Sequence, residues 1–238
     1  MKISTKFIIL LFLTICASTI YAQNTEEIRN VSNFKGIRIS SGIDLYIKQG
    51  NVESVRIVGD KDKLVKVKTE KEGDILRIYT ENSKGWFNFD FDWSNKNSLK
   101  AYVTVKNLNS IAATGGSDVF SEGKLDLINL DVKATGGSDV KLDLDTDELT
   151  CETTGGSDVT LSGTATVFKA MATGGSDLKA KNLRTNFCSI SSTGGSDAHV
   201  WAEKEISISA TGGSDVYYKG NARVVQSNSS GGSDVHKQ

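Results

Sequence analysis

The chain has 238 residues, 24% charged and 38% hydrophobic, with a formal net charge of −1. This composition excludes a disordered tail and a multi-span membrane protein, and the near-neutral charge leaves no electrostatic footprint for nucleic acid or anionic lipid. Proline is absent and glycine numbers 23, so every residue can donate a backbone hydrogen bond, which favours continuous sheet.

Met1 to Ala22 has the layout of an export signal, residues 1–22. Lys2 and Lys6 form a positive start, Phe7 to Leu13 an apolar run, and small residues lead to Tyr21-Ala22-Gln23. The apolar run is short for a transmembrane helix. Cys16 offers the alternative of a lipoprotein signal, against which the bulky Ile15 before it argues. Either way the mature chain, residues 23–238, is expected outside the cytoplasm, where disulfides form. It holds only Cys151 and Cys188.

Residues 30–110 alternate apolar and polar positions without a fixed marker. Ile37, Ile39, Ile43, Leu45 and Ile47 share a parity across a turn at Ser41-Gly42. Val55–Val58, Leu64–Val67, Ile75–Tyr79 and Tyr102–Val105 are further strand candidates, separated by turns at Gly59-Asp60-Lys61-Asp62 and Lys71-Glu72-Gly73-Asp74. Between two of them lies Trp86-Phe87-Asn88-Phe89-Asp90-Phe91-Asp92-Trp93. On a strand, Phe87, Phe89, Phe91 and Trp93 would share one face. Such a segment would bury its aromatics in the cap or a subunit contact. Alternatively Trp86, Phe87, Phe89, Phe91 and Trp93 would form a platform for a sugar or a protein partner.

From residue 111 a repeat dominates. Thr-Gly-Gly-Ser-Asp begins at Thr114, Thr135, Thr154, Thr173, Thr193 and Thr211, and a serine-led copy begins at Ser230. The aspartates are Asp118, Asp139, Asp158, Asp177, Asp197, Asp215 and Asp234, at intervals of 18 to 21 residues. Before each threonine the chain alternates, as in Leu130/Val132/Ala134 against Asp131/Lys133. After each aspartate it alternates again, as in Val140/Leu142/Leu144 against Lys141/Asp143. Period two means strands with one buried face. Strand, Gly-Gly bend, strand and a looser return, in about 19 residues, predict an all-β fold. The form expected is a right-handed parallel β-helix, a solenoid of seven Gly-Gly-Ser-Asp coils with an irregular N-terminal β cap. Coils stack at about 4.8 Å. Cys151 and Cys188 then stand two coils apart, beyond disulfide reach, and are expected as buried free thiols.

By the same parity each repeat serine points inward and each aspartate outward. Stacked carboxylates repel by roughly 1 kcal/mol per neighbouring pair in water. The favoured offset is acceptance of turn amides by Asp and Ser, with the glycines supplying positive φ. The alternative is a row of Ca2+ ions bridging Asp118, Asp139, Asp158, Asp177, Asp197, Asp215 and Asp234; no other cofactor is expected. Asp143 to Glu148 imitates the start of an EF-hand loop, but Glu148 stands where glycine is needed, and an acidic turn between coils is expected. His199 and His236 lie two coils apart with Tyr217 between them, poorly placed to share a metal. A Ser196/Asp197/His199 triad fails because Ser196 points inward.

Phe34 to Gly50, FKGIRISSGIDLYIKQG, followed by a Gly-Ser-Asp-bearing β repeat, resembles the head-GIN domain family over most of the chain from Val31 onward. The resemblance departs at Asp44, where the family motif carries Asn, and at Lys106, where proline is frequent. It implies a β-helix exported by a Gram-negative bacterium, an adhesin-like role and no catalytic residues. No run patterned as a membrane barrel follows the repeat. The expected function is non-catalytic binding of a glycan or protein partner at the cell surface or envelope. A polysaccharide lyase or hydrolase is the second reading, since β-helices host both. A structural envelope protein is the third, forming homo-oligomers through its open helix end or aromatic segment. The expected location is periplasm, outer-membrane surface or medium.

Overall fold

The computed structural model describes residues 25–81 and 99–238. Strands β1 (Thr25–Arg29), β2 (Gly36–Ile39), β3 (Asp44–Gln49) and β4 (Ser54–Gly59) come first. A one-turn helix α1 (Lys61–Leu64) leads to β5 (Val67–Glu72), β6 (Ile75–Thr80), β7 (Lys100–Val105) and β8 (Ser110–Thr114). Five long strands follow: β9 (Val119–Thr135), β10 (Val140–Thr154), β11 (Val159–Thr173), β12 (Leu178–Gly194) and β13 (Ala198–Gly212). The last are β14 (Val216–Lys219), β15 (Arg223–Ser230) and β16 (Val235–Lys237).

The repeat pairs every coil with its neighbours in parallel, giving a β-solenoid of about seven turns. Val140 lies over Val119 and under Val159, and Leu149 lies between Leu130 and Phe168. Equivalent residues therefore pile into inner columns, and the alternation read from the sequence becomes burial. Val140, Leu142, Leu144, Leu149 and Cys151 are closed off from solvent, while Lys141 and Thr150 stand out. The expected looser return is not found in β9 to β13, where each coil runs as one ladder of 15 to 17 residues from after the aspartate to the next glycine pair; the following coil does break, between β14 and β15. A second corner is made inside the strand by a switch of parity, at Asp147-Glu148 in β10. Backbone groups there stay paired with the coils on either side, which is why no irregular loop is needed.

The part before the repeat closes one end and also supplies two rungs. β2 pairs in parallel with β8, and β3 with β9; β6 and β7 pair in parallel with β2 and β3 to form the rung beyond. Antiparallel β4 and β1 flank β7, and β5 flanks β6, so the parallel stack ends there in antiparallel hairpin pairing. The expected strand Leu64–Val67 is divided instead. The amides of Lys63 and Leu64 both bond the Asp60 carbonyl at 2.9 Å, closing a helical turn that buries Leu64, and Val67 opens β5.

The two thiols are free and buried, as the coil arithmetic requires. Cys151 pairs in register with Ala170, whereas Cys188 pairs with Phe168, so they stand in different inner columns. Desolvation pushes each thiol up to about 12. Both are neutral at pH 7 and poor nucleophiles. With Cys16→Ser, a thiol-reactive dye is expected to label neither cysteine in the folded protein and both in denaturant. Rapid labelling of the native protein would contradict this burial.

Gly163 shows what the stacking tolerates. Its φ is +107°, and a Cβ there would lie 2.0 Å from the carbonyl oxygen of Leu144 in the coil below. Gly163→Ala combines strain with backbone collision and is expected to cost roughly 3–5 kcal/mol, read from denaturant unfolding.

Candidate functional site

The second corners of successive coils line up into an open groove of about 980 Å³. One wall is a column from four coils: Asp126, Asp145, Thr164 and Arg184 are neighbours in register. Beside it runs the corner column, with Ile128, Asp147, Thr166 and Asn186 on the lining. Asn107 and Asn109 continue the groove toward the N-terminal end. The repeat gives these positions no consensus, so the lining is a set of different polar groups presented at coil spacing.

The column is held in place. Asp145 accepts from Thr164 Oγ1 at 2.8 Å and pairs with Lys124 Nζ at 3.2 Å. The hydrogen bond from Thr164 and then the Lys124 ammonium hold its carboxyl below the usual carboxylate range. Asp126 is gripped by Gln49, which donates to its carbonyl at 2.8 Å and accepts its amide at 2.7 Å. Arg184 is fixed by Glu203 at 2.9 Å, and its guanidinium lies 5.5 Å from the Trp201 ring centroid. The groove thus offers oriented carboxylates, amides, hydroxyls and a guanidinium, open to solvent. An ionised Asp145 is the reverse of what a general acid needs. The segment read as an acidic turn between coils, Asp143 to Glu148, supplies part of this wall. Sequence reasoning missed its role because the partners come from coils 19 and more residues away.

The aspartate row forms as the parity requires: all seven repeat serines are buried, and Asp118, Asp139, Asp158, Asp177, Asp197, Asp215 and Asp234 face outward. For the aspartates the offsetting bonds run between coils, while within the turn Ser196 Oγ accepts the Thr193 amide at 3.2 Å. Asp118 Oδ1 accepts the Asp139 amide at 3.2 Å, Asp139 the Asp158 amide at 3.3 Å, and Asp197 the Asp215 amide at 3.3 Å. The serines bond the opposite way, Ser138 Oγ accepting the Ser117 amide and Ser157 Oγ the Ser138 amide. In mid-row Lys179 bridges Asp158 at 2.7 Å and Asp177 at 3.4 Å. Desolvation raises the Asp118 carboxyl, with the Asp139 and Asp44 charges adding to it and the Asp139 amide opposing it.

Asp44 is an eighth member that the sequence disguised. Gly42 donates to the Gly115 carbonyl, Ile43 to Ser117 Oγ, and Leu45 to the Asp118 carbonyl. Ser41-Gly42-Ile43-Asp44 is therefore the repeat corner itself, with Ser41 at φ 69° in the place of the first glycine. In the rung beyond, Lys100 lies opposite Asp44. Trp86, Phe87, Phe89, Phe91 and Trp93 lie outside the described residues. The described strands on either side of them, β6 and β7, pair with β2 and β3.

The residue two after each aspartate forms another outward column. Tyr46 stacks on Tyr102 at 5.0 Å and on Phe120 at 5.3 Å; His199, Tyr217 and His236 stack at 4.6 and 5.0 Å. Tyr46 and Tyr217, each stacked on two rings, have both faces taken and hold the coils together rather than offering a flat surface. Tyr217 lies between the two histidine rings, and the Ser196 hydroxyl is turned to the carbonyls of Ala172 and Thr193.

Residues 33–222 match the family described as putative auto-transporter adhesin, head GIN domain, and the chain belongs to that family. It is similar to the crystal structure of a putative adhesin from Bacteroides fragilis, with a TM-score of 0.80 and 23% identity over 92% of this chain and 98% of that one. A putative lipid binding protein from Parabacteroides distasonis gives 0.70 and 18% over 90% and 96%. A putative adhesin from Parabacteroides merdae gives 0.67 and 15% over 91% and 96%. At these identities the likeness is one of fold. Among curated proteins, none matches. Among the described residues no helix is long and apolar enough to cross a membrane.

Inter-coil acceptance can be separated from charge. Asp139→Asn keeps an oxygen for the Asp158 amide and removes one like charge, so unfolding stability is expected to hold or rise. Asp139→Ala strands the amide and is expected to cost about 1 kcal/mol. Equal losses in both variants would show that the charge itself matters.

Proposed function

We propose that the chain is exported by the signal at residues 1–22 and that residues 23–238 act as one adhesin-like recognition domain. Its ligand in this reading is an extended glycan of a cell surface or envelope, lying along the second-corner groove. The observation that carries it is the fixed polar column Asp126–Asp145–Thr164–Arg184 in an open groove spanning successive coils. A chain of hydroxyl-bearing rings needs many oriented donors and acceptors in a row, and several weak contacts along the length replace one enclosed pocket. The mostly polar lining and wide opening suit such a ligand better than a lipid tail, which requires a dry, enclosed cavity. Membership in an adhesin family supports a surface partner.

The test is co-sedimentation with insoluble polysaccharides and cell envelopes, assaying the supernatant for released sugar. Binding is expected without release. Asp147→Ala with Asn186→Ala should weaken it at least tenfold, about 1.4 kcal/mol, while Trp86→Ala with Trp93→Ala leaves it unchanged. Loss only in the tryptophan variant would move the site to the aromatic segment. Sugar release would make the protein an enzyme and overturn the reading, and binding only to a protein component of the envelope would overturn the glycan assignment.

A further inference from the structure

The aspartate row contains an internal comparison. Lys179 follows Asp177 by two residues and sits between Asp177 and Asp158 of the coil below, its ammonium 3.4 and 2.7 Å from their carboxylates. The same three repeat positions at the end of the column are Asp234, His236 and Asp215, since Asp215 precedes Val216 as Asp234 precedes Val235, and these valines pair in register. There one carboxylate oxygen from each aspartate and one imidazole nitrogen lie within 4.8 Å of one another. The position that carries a cation in one coil carries a metal-ligating ring in another.

We infer that Asp215, Asp234 and His236 form a site for a divalent transition metal of the Zn2+ type, which takes the place that the Lys179 ammonium fills three coils earlier. The donor set is two oxygens and one nitrogen, with room for water as a fourth ligand, as open three-ligand zinc sites have. Ca2+ prefers six to eight oxygens and gains little from an imidazole. The ligands are oriented before any ion arrives. Asp215 accepts the Asp234 amide at 3.2 Å through Oδ1, and its Oδ2 lies 3.4 Å from the Tyr217 hydroxyl. The His236 ring is stacked on Tyr217 with an interplanar angle of 18°, which fixes the ring plane, and one of its nitrogens lies within 4.8 Å of an oxygen of each aspartate. Asp234 and His236 are exposed and Asp215 half-buried, so modest side-chain rotation can draw the three atoms to metal-ligand spacing. The equivalent triple one coil below Asp215 is not gathered in this way: Asp177 is committed to Lys179, and His199 lies against the other face of Tyr217. Among the described residues, this is the group of three such side chains brought together.

An ion bound here would tie β16 to the coil below through side chains, in addition to its backbone ladder. The experiment is calorimetric titration of the full chain, stripped with chelator, with Zn2+ and separately with Ca2+. One Zn2+ per chain is expected, with a micromolar or tighter Kd and much weaker uptake of Ca2+. His236→Gln and Asp234→Asn should each weaken Zn2+ at least tenfold, while His199→Gln leaves it unchanged; circular dichroism confirms that each variant remains folded. Absence of Zn2+ binding, or binding that survives both His236→Gln and Asp234→Asn, would overturn the assignment. Equal uptake of Ca2+, insensitive to His236→Gln, would do so as well and return the row to a simple carboxylate ladder.

Discussion

Everything in this protein depends on parallel register between successive coils. A residue is stabilised chiefly by its counterparts one coil above and below, so each position becomes a column with one environment. Inner columns must be apolar along their whole length, because a single unpaired polar group would have no solvent to turn to. The buried hydroxyls are exceptions that fit: Ser138, Ser157 and Ser196 meet a backbone amide or carbonyl of a neighbouring coil, Ser176 the Thr173 carbonyl of its own turn, and Thr153 and Thr185 the carbonyls of Ser157 and Trp201. Outer columns are free to differ, and that is where the molecule places its chemistry.

The outer columns show three answers to stacking like groups at short spacing. In the aspartate column, Asp118, Asp139, Asp197 and Asp215 accept an amide from the next coil, and Asp158 and Asp177 share a lysine. In the column two residues on, aromatic rings stack face to face and exclude water from one another. In the groove column the chemistry changes along the stack, from the carboxylates of Asp126 and Asp145 to the Thr164 hydroxyl and the Arg184 guanidinium, with bracing side chains from adjacent coils. Only the last arrangement leaves varied hydrogen-bonding groups turned toward open space, and it is the one suited to recognition.

How much of this could be read from the sequence follows from what repeats. Thr-Gly-Gly-Ser-Asp and the alternation around it recur often enough to reveal solenoid, coil length, inward serines, outward aspartates and unpaired thiols. The groove was hidden because Ile128, Asp147, Thr166 and Asn186 share a column without sharing a chemistry, so no motif marks them. Asp44 was hidden because Ser41 and Ile43 replace the glycine and serine that identify every other corner. The short helix at Lys61–Leu64 was hidden because four residues carry no helical period, and the meeting of His236 with two aspartates because its column holds Lys, Thr, Tyr and His in turn.

The order of the first rungs has a consequence for how the chain is made. The rung of β2 and β3 is first in sequence, yet both of its neighbours are built later, one from β6 and β7 and the other from β8 and β9. A chain emerging from its N-terminus thus exposes two apolar rung edges until residue 121 has passed. Only then does the column acquire a floor on which later coils can add one at a time, each closing a loop of about twenty residues. The longest loop closures therefore fall on the first rungs, and it is there, rather than along the repeat, that unpaired edges await partners distant in sequence.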